Sequence, residues 1–215
     1  MARGPLLTPS KRAFDIGLAL LFGGLLLVPF TIVLVGLLLL HGQPLFHVAE
    51  RMKAPGQPFR LWKLRTMPVS MAAGGVSGGD KLARVGPVGR FLRQSRLDEV
   101  PQLWNVLRGD MSFVGPRPPL RAYVERFPAL YVDVLKSRPG LTGLATLRMH
   151  GYEERVLAAC RNAVETDATY VRRCVPKKAR LDLIYQQHRS LCLDLFLIWE
   201  TGTRIFLHRI FVPKP

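Results

Sequence analysis

The longest apolar stretch of the chain lies near the N-terminus, at residues 16–40, and contains no charged residue. A helix of this length rises about 37 Å, which exceeds the roughly 30 Å hydrocarbon core of a bilayer. A cleavable signal peptide is disfavoured, because the stretch is longer than a normal signal and residues 41–44 offer no small-residue cleavage site. The pattern therefore predicts a helix that stays in the membrane.

Pro29 lies in the middle of this stretch, where it lacks an N–H and predicts a kink. Each half is then only about 20 Å long, too short to cross alone. Basic residues flank both sides, with Lys11 and Arg12 before the stretch and Arg51 after it, so both ends are expected at the cytoplasmic face. Two topologies remain open: a re-entrant helix at 13–41 broken near Pro29, and a kinked spanning helix.

After residue 41 the pattern is mixed and predicts a mainly α fold with short β elements, an α+β class. A Gly-rich, Ala-rich and Ser-rich stretch at 71–80 predicts a loop. The last helix alternates apolar with charged residues, a composition typical of an interfacial helix as much as of a core helix. Predicted helices lie at 88–97, 101–107, 153–168 and 179–211. Predicted segments are a basic tail at 1–12, the membrane helix at 13–41, a compact domain at 42–188 and a C-terminal amphipathic helix at 189–215.

Lys and Arg outnumber Asp and Glu by 31 to 15, which gives a formal net charge of +16. This excess indicates anionic partners: nucleic acid, acidic lipid headgroups or phosphorylated substrates. The three cysteines show no CxxC spacing, which argues against a disulfide framework and a zinc site. The five histidines form no pair at metal-binding helical spacing. We therefore expect reduced cysteines in a cytosol-facing domain.

Asp98 and Glu99 form an acidic pair just before Pro101. Proline is tolerated in the first turn of a helix and Gly109 supplies a stop, so the pair is predicted to lie at the start of the short helix at 101–107. A purely structural interpretation is available, in which Asp98 caps this helix and Glu99 complements its dipole.

The surroundings of the acidic pair are rich in arginine. Arg90 and Arg93 share one helical face upstream, and Arg96 follows. Arg117 stands between two prolines, and a residue before proline is pushed to extended geometry. Its guanidinium is therefore expected to present a bidentate grip to a phosphate.

This set of residue types is suited to phosphoryl transfer. Two adjacent carboxylates on a helix point about 100° apart, so one can face a reacting phosphorus while the other binds a magnesium that bridges phosphate oxygens. An acid pair, a fixed arginine and a helix N-terminus are what transfer through a carboxylate nucleophile requires. Surface arginines without a ligand are the alternative interpretation.

Several long motifs, in order along the chain, resemble those of the bacterial sugar transferases, the monotopic phosphoglycosyl transferases. The resemblance covers about residues 11–146 and, weakly, 193–195. Together the motifs are far more specific than any single short pattern. They are KRAFD at 11–15, FRLWKLRTM at 59–67, LDEVPQLWNVLRGDMS at 97–112, VGPRP at 114–118 and RPGLTG at 138–143.

The resemblance implies a catalytic domain on the cytoplasmic face of the bacterial inner membrane and a re-entrant helix that breaks at Pro29. It implies that Asp98 attacks the sugar-bearing phosphate of a UDP-sugar and expels UMP. Polyprenyl phosphate then takes the phosphosugar, in the first membrane step of polysaccharide or glycoconjugate synthesis. Glu99 is implied as a Mg²⁺ ligand, and Arg93 and Arg117 as phosphate-binding residues. Arg90 and Arg96 are further candidates.

The sequence departs from this family in three places. The glutamine usual in the family's Phe-Arg-Gln-x-Arg region is replaced, and FHVAER stands there at 46–51. Val28 stands where the family commonly has Ser before the proline, and Thr31 is the nearby hydroxyl that could partly replace it. Residues 147–180 have no counterpart, so the resemblance gives them no role. The sugar, the pathway and the oligomeric state are left open.

Two rival classes remain, and each has a discriminating feature. A membrane-tethered nucleic-acid binder fits the net charge, but it predicts basic residues interleaved with exposed aromatics, whereas these arginines surround an acidic pair that would repel a phosphate chain. A non-catalytic membrane scaffold is distinguished by its failure to release UMP from UDP-sugars.

Overall fold

A long N-terminal helix precedes a mostly helical body that holds two small sheets. The computed structural model describes residues 8–67 and 85–211, so the predicted loop at 71–80 lies outside the described residues. The predicted class, mainly α with short β elements, is confirmed. The helices are α1 (Pro9–His41), α2 (Pro87–Gln94), α3 (Gln102–Arg108), α4 (Arg121–Arg126), α5 (Pro128–Val134), α6 (Leu144–Ala158), α7 (Ala163–Thr169), α8 (Val175–His188) and α9 (Leu191–Phe211). The strands are β1 (Phe46–Ala54), β2 (Gln57–Leu64), β3 (Ser112–Val114) and β4 (Gly140–Thr142), and there is a 3₁₀ turn (Leu97–Glu99) and a π-helical turn (Tyr170–Cys174).

Local backbone geometry divides the predicted helical stretches more finely than periodicity does. The stretch 88–97 ends early, at Gln94, because Arg96 adopts a left-handed backbone (φ 56°) that an α-helix cannot continue. The stretch 179–211 is two helices, since Arg189 is extended (φ −58°, ψ 130°). The predicted helix at 153–168 corresponds to the end of α6 and most of α7.

The two sheets position the loops that carry the site. Strands β1 and β2 form an antiparallel hairpin around Gly56, whose φ of +71° suits glycine. Strand β3 pairs in parallel with β4, and a Cβ on Gly140 would lie 2.2 Å from the backbone nitrogen of Gly115. Because only glycine permits this approach, the chain leaving β3 is held tightly against β4.

The N-terminal turns of α1 are fixed to the body by buried charges. Lys11 Nζ lies 2.7 Å from Asp194 Oδ2 of α9 and 3.4 Å from Asp15 Oδ1, and both carboxylates are completely buried. Asp15 also accepts hydrogen bonds from Ser112 Oγ at 3.0 Å and from the Phe113 N–H at 3.2 Å. We call Lys11, Asp15 and Asp194 the ionic anchor.

Arg12 adds a second attachment on the next helical position. Its two terminal nitrogens donate to the carbonyl oxygens of Val106 and Leu107, each at 2.6 Å. These carbonyls belong to the last turn of α3, where backbone acceptors have no intrahelical partner and where a cation complements the helix dipole. The membrane helix is thereby bonded directly to α3.

The C-terminal half of α1 packs on the same body. Leu37 is buried in a cluster with Leu64 of β2 and Leu92 of α2, and Phe30 and Val33 pack against this cluster. Both halves of α1 therefore contact one compact body.

The predicted break near Pro29 does not interrupt the helix, since α1 runs without a gap from Pro9 to His41. Pro29 has no N–H for the carbonyl of Leu25, and Thr31 Oγ1 donates to Leu27 O at 2.8 Å, so its hydroxyl does not replace the missing bond. Helix geometry is kept because the neighbouring backbone bonds remain.

The outer face of α1 is apolar and exposed. An 18-residue window within 9–40 has a mean hydropathy of 2.7, long and apolar enough for a membrane. Leu195, Phe196 and Trp199 of α9 are also exposed. The body therefore presents apolar surface on both its first and its last helix. The exposed large apolar residues of α1 are Leu20, Leu21, Leu25, Leu27, Val28, Ile32, Val35, Leu38, Leu39 and Leu40.

We predict that Lys11→Met strongly destabilises the protein, because it leaves Asp15 and Asp194 buried without a cation. Removing one partner of a buried ion pair costs about 3–5 kcal/mol, which corresponds to a fall of roughly 10 °C in the melting midpoint. The measurement is thermal unfolding in detergent at pH 7.5. Lys136→Met, which removes an exposed pair with Asp133, is the matched control and should change the midpoint by little. Equal changes in the melting midpoint of the two variants would show that the ionic anchor does not stabilise the fold more than an exposed ion pair.

Candidate functional site

The acidic pair lies in the 3₁₀ turn Leu97–Glu99 and not, as predicted, at the start of an α-helix. Val100 and Pro101 separate the turn from α3, and no side chain caps that helix. The interpretation of Asp98 as a helix cap is therefore wrong. Arg96, just before the turn, holds a left-handed backbone, which is uncommon for a non-glycine residue and occurs often at functional sites.

Glu99 is held by two arginines, one on each carboxylate oxygen. Arg96 Nη1 lies 2.8 Å from Oε2, and Arg117 Nη2 lies 3.2 Å from Oε1. Burial raises the pKa of Glu99, but the charges and hydrogen bonds of Arg117 and Arg96 outweigh it, so the pKa is lowered overall. Glu99 is therefore a fixed anion.

Asp98 has the opposite environment. Its residue exposure is 9%, and it makes none of the ion pairs that hold Glu99. Burial, and after it the charge of Glu99, raises the pKa of Asp98 to about 6, against the opposing charges of Lys63 and Arg93. Neighbouring carboxylates whose pKa values are pushed apart are typical of pairs with different chemical roles. Asp98 is thus still mostly ionised at neutral pH, and none of the residues that the structure describes forms an ion pair with it.

Arg117 presents its side chain to solvent from a constrained backbone. Its side chain is 49% exposed, while Pro116 before it is buried and Pro118 follows it. Glu99 raises the pKa of Arg117 and engages one of its terminal nitrogens. The other guanidinium donors remain available for an anionic ligand. The structure thus places Arg117 at the acidic pair, through its contact with Glu99.

Among the other predicted arginines, Arg93 and Arg96 are brought to the pair and Arg90 is not. Arg93 Nε donates to Thr66 Oγ1 at 2.9 Å, which directs its side chain toward the end of β2, and its charge acts on Asp98. Arg90 is exposed on α2 and, among the described residues, makes no hydrogen bond or ion pair with Asp98 or Glu99.

Two basic residues of the hairpin also reach the site, and the prediction did not include them. Alternation along β2 places Lys63 on the face that holds the buried Phe59 and Leu61, and Arg51 lies opposite Phe59 on β1. Burial, then the charges of Arg51 and Arg117, lowers the pKa of Lys63, while the charge of Asp98 acts the other way. The sequence feature that could have indicated Lys63 as a site residue is the presence of a lysine on the apolar face of a strand.

The described residues contain no cluster of three or more acidic, histidine or cysteine side chains that could hold a metal alone. Asp98 and Glu99 are the hard-oxygen donors within the site. Magnesium commonly binds through one or two carboxylates and completes its shell with water and substrate phosphates. The donor set therefore fits an ion shared with a phosphorylated substrate, provided that a contact of Glu99 with Arg96 or Arg117 is replaced.

The sequence profile described as bacterial sugar transferase matches residues 7–208. The chain therefore belongs to the bacterial sugar transferase family and is a transferase enzyme, which confirms the predicted resemblance.

Individual relatives extend over most of the chain. It is 34% identical over 199 residues to the uncharacterized sugar transferase EpsL of Bacillus subtilis (strain 168), covering 92% of this chain and 87% of that protein. It is 31% identical over 225 residues to the exopolysaccharide production protein ExoY of Sinorhizobium fredii, covering 93% and 87%. It is 37% identical over 169 residues to the UDP-glucose:undecaprenyl-phosphate glucose-1-phosphate transferase of Caulobacter vibrioides, covering 75% of this chain but 62% of that protein.

We predict that Asp98→Asn stabilises the fold in magnesium-free buffer at pH 7.5, because it removes a buried charge beside Glu99. A raised pKa means that the folded state favours the neutral carboxyl, so ionisation costs stability as the pH rises from 3.8 to about 6. The gain should reach about 2–3 kcal/mol above that range and shrink below it. Thermal unfolding at pH 7.5 and pH 5 measures it. Asp133→Asn, at an exposed position, should give no gain.

Proposed function

We propose that the protein transfers a sugar 1-phosphate from a UDP-sugar to polyprenyl phosphate, releasing UMP, at the cytoplasmic face of the bacterial inner membrane. The observation that carries this proposal is the pairing of a buried Asp98, which has no ion pair within residues 8–67 and 85–211, with an arginine-bound Glu99, in a protein whose first and last helices expose apolar side chains. The name of the Caulobacter relative, which specifies UDP-glucose and undecaprenyl phosphate, supports the substrate classes. The name of the Sinorhizobium relative supports a place in exopolysaccharide synthesis.

In the first half-reaction, a carboxylate oxygen of Asp98 attacks the sugar-bearing phosphorus of the donor. A P–O bond forms to Asp98, the pyrophosphate P–O bond breaks, and UMP leaves with the bonding electron pair. The product is an aspartyl phosphosugar. A nucleophile of this kind must be ionised, and a pKa of about 6 keeps Asp98 mostly ionised at neutral pH.

In the second half-reaction, an oxygen of polyprenyl phosphate attacks the same phosphorus. The bond to Asp98 breaks and its carboxylate is regenerated, so the lipid becomes a polyprenyl diphosphate sugar. Arg117 and Arg93 bind the phosphoryl oxygens, and Lys63, whose charge acts on Asp98, adds positive charge. Fixed cations of this kind stabilise the charge that develops on the transferred group.

Magnesium suits this site, with Glu99 as its protein ligand. When bound, the ion neutralises charge on the pyrophosphate oxygens of the donor. Arg117 then exchanges its contact with Glu99 for a phosphate oxygen, and its fork geometry favours a bidentate grip. Arg96 keeps the other oxygen of Glu99 oriented.

The packing of α1 supports a re-entrant rather than a spanning topology. Asp15 and Leu37 are separated by about 33 Å of helix, more than the hydrocarbon core. Yet Asp15 bonds to β3 and Leu37 packs on β2 and α2, which belong to one body. A helix that crossed the bilayer would place these contacts on opposite sides. The apolar outer face then rests in one leaflet, which brings Asp98 to the depth of the lipid phosphate.

We predict a covalent adduct on Asp98. Purified protein incubated with a UDP-sugar and magnesium, without lipid acceptor, should gain one phosphosugar mass on the peptide that contains Asp98, and polyprenyl phosphate should remove it. Asp98→Asn should fold and show neither adduct nor turnover. An adduct on another residue, or turnover by the variant, would overturn the assignment.

We predict that single reporter cysteines at Ser10 and Gln43 both lie on the cytoplasmic side, because both ends of α1 return to the same body. The native cysteines are first replaced by alanine. A membrane-impermeant thiol reagent applied to spheroplasts should label neither reporter, and after permeabilisation it should label both. Labelling of one reporter from outside would show that α1 spans, and the re-entrant path would be abandoned.

A further inference from the structure

An open groove of about 470 Å³ lies beside the acidic site. Glu50 and Arg51 of β1 form one wall, and Leu120 with α4 forms the other. Asp167 of α7 closes one side. This last residue belongs to the stretch 147–180, for which the family resemblance gives no role.

The groove is linked to the proposed phosphate-binding residue Arg117 through the chain and through Arg51. Leu120, in its lining, follows Arg117 by three residues, and the Met52 N–H donates to Pro119 O at 3.1 Å, which fixes β1 against this turn. Arg51 lines the groove, and the charge of Arg117 acts on it. Arg51 is therefore shared between the groove and the charged site.

The groove walls carry two carboxylates, each fixed by an arginine. Glu50 accepts from Arg121 Nε at 2.7 Å and from Nη2 at 3.1 Å. Asp167 accepts from Arg126 Nη1 at 3.0 Å. Each carboxylate is about half exposed, 53% and 44% respectively, so each has lone pairs that face the groove solvent.

This arrangement suits a neutral polyhydroxyl group better than a base or a phosphate. Asp167 is held a second time by Tyr123 OH at 2.7 Å, so its orientation is fixed. Tyr123 is the aromatic residue in the described lining, and it is only 5% exposed with its ring packed against Tyr170, so it offers no face for stacking a base. Arg121 and Arg126 of the lining are already paired with the two carboxylates, and carboxylates and guanidiniums together accept from and donate to hydroxyl groups.

We infer that this groove binds the sugar of the donor, and that Glu50 and Asp167 accept hydrogen bonds from its hydroxyl or amide groups. The inference rests on the proposed function, because the phosphosugar must extend from Asp98 past Arg117. The two residues are specificity-determining. A site that hydrogen-bonds a substrate hydroxyl discriminates strongly against a donor that cannot make that bond.

The test compares wild type, Asp167→Asn and Glu50→Gln in detergent with UDP-glucose, UDP-galactose, UDP-N-acetylglucosamine and UDP-N-acetylgalactosamine. Two quantities are measured: kcat/KM for UMP release, and the affinity for each UDP-sugar relative to UDP. The ratio of kcat/KM between the best donor and its C4 epimer should change by about tenfold or more in at least one variant. Affinity for UDP alone should stay within about twofold. Asp133→Asn, outside the groove, is the matched control.

Two results would overturn the inference. One is an unchanged ratio in both variants when their melting midpoints match wild type. The other is an equal loss of affinity for UDP and for every UDP-sugar, which would assign the groove to the nucleotide. If wild type releases no UMP from any donor, the proposed function fails, and the affinities alone then test whether the groove binds the sugar. A sugar-binding groove is supported if a variant changes the affinity for a UDP-sugar relative to UDP, and it is refuted if neither variant does.

Discussion

The buried contact of Lys11 with Asp15 and Asp194 is the interaction on which the rest of this structure depends. It joins the first turns of α1 to α9, and through Asp15 it also bonds to β3. Buried ion pairs of this kind contribute less to net stability than to the choice of one arrangement, because an apolar substitute would pack without fixing orientation. Here the orientation matters, since Arg12, next along the chain, holds the end of α3.

Through α3 the long apolar helix and the acidic turn are linked. The turn that carries Asp98 precedes α3 and the carbonyls bound by Arg12 lie in its last turn, so the position of α1 is tied to that of the acidic pair. Asp98 and Glu99 are neighbours in sequence, but within the described residues the ion pairs with arginine go to Glu99. The molecule thus keeps one carboxylate as a fixed anion and holds the other where burial and the charge of Glu99 raise its pKa. Such local strain is a common feature of functional sites.

Sequence patterns revealed the features that depend on local chemistry. The apolar stretch at 16–40, the short helix ended by Gly109 and the constrained Arg117 all follow from residue type and spacing. Helix ends at Arg96 and Arg189 were missed because they depend on individual backbone angles that periodicity does not encode.

Features that depend on tertiary packing could not be predicted in this way. The position of Lys63 follows from which face of a hairpin packs inward, and the groove combines residues from β1, α4 and α7, which range along the chain from Glu50 to Asp167. Helix α1 runs through Pro29, since a single missing backbone bond does not end a helix whose two halves are both packed.

The ionic anchor also determines when the protein can reach its final form during synthesis. Lys11 leaves the ribosome among the first residues, while Asp194 follows about 180 residues later, a delay of roughly 10–40 s at ordinary translation rates. The contact of Lys11 with Asp15 can form early, but its shorter contact, with Asp194, waits until α9 emerges. A chain released before residue 194 therefore carries the acidic turn without the contact that joins α1 to α9.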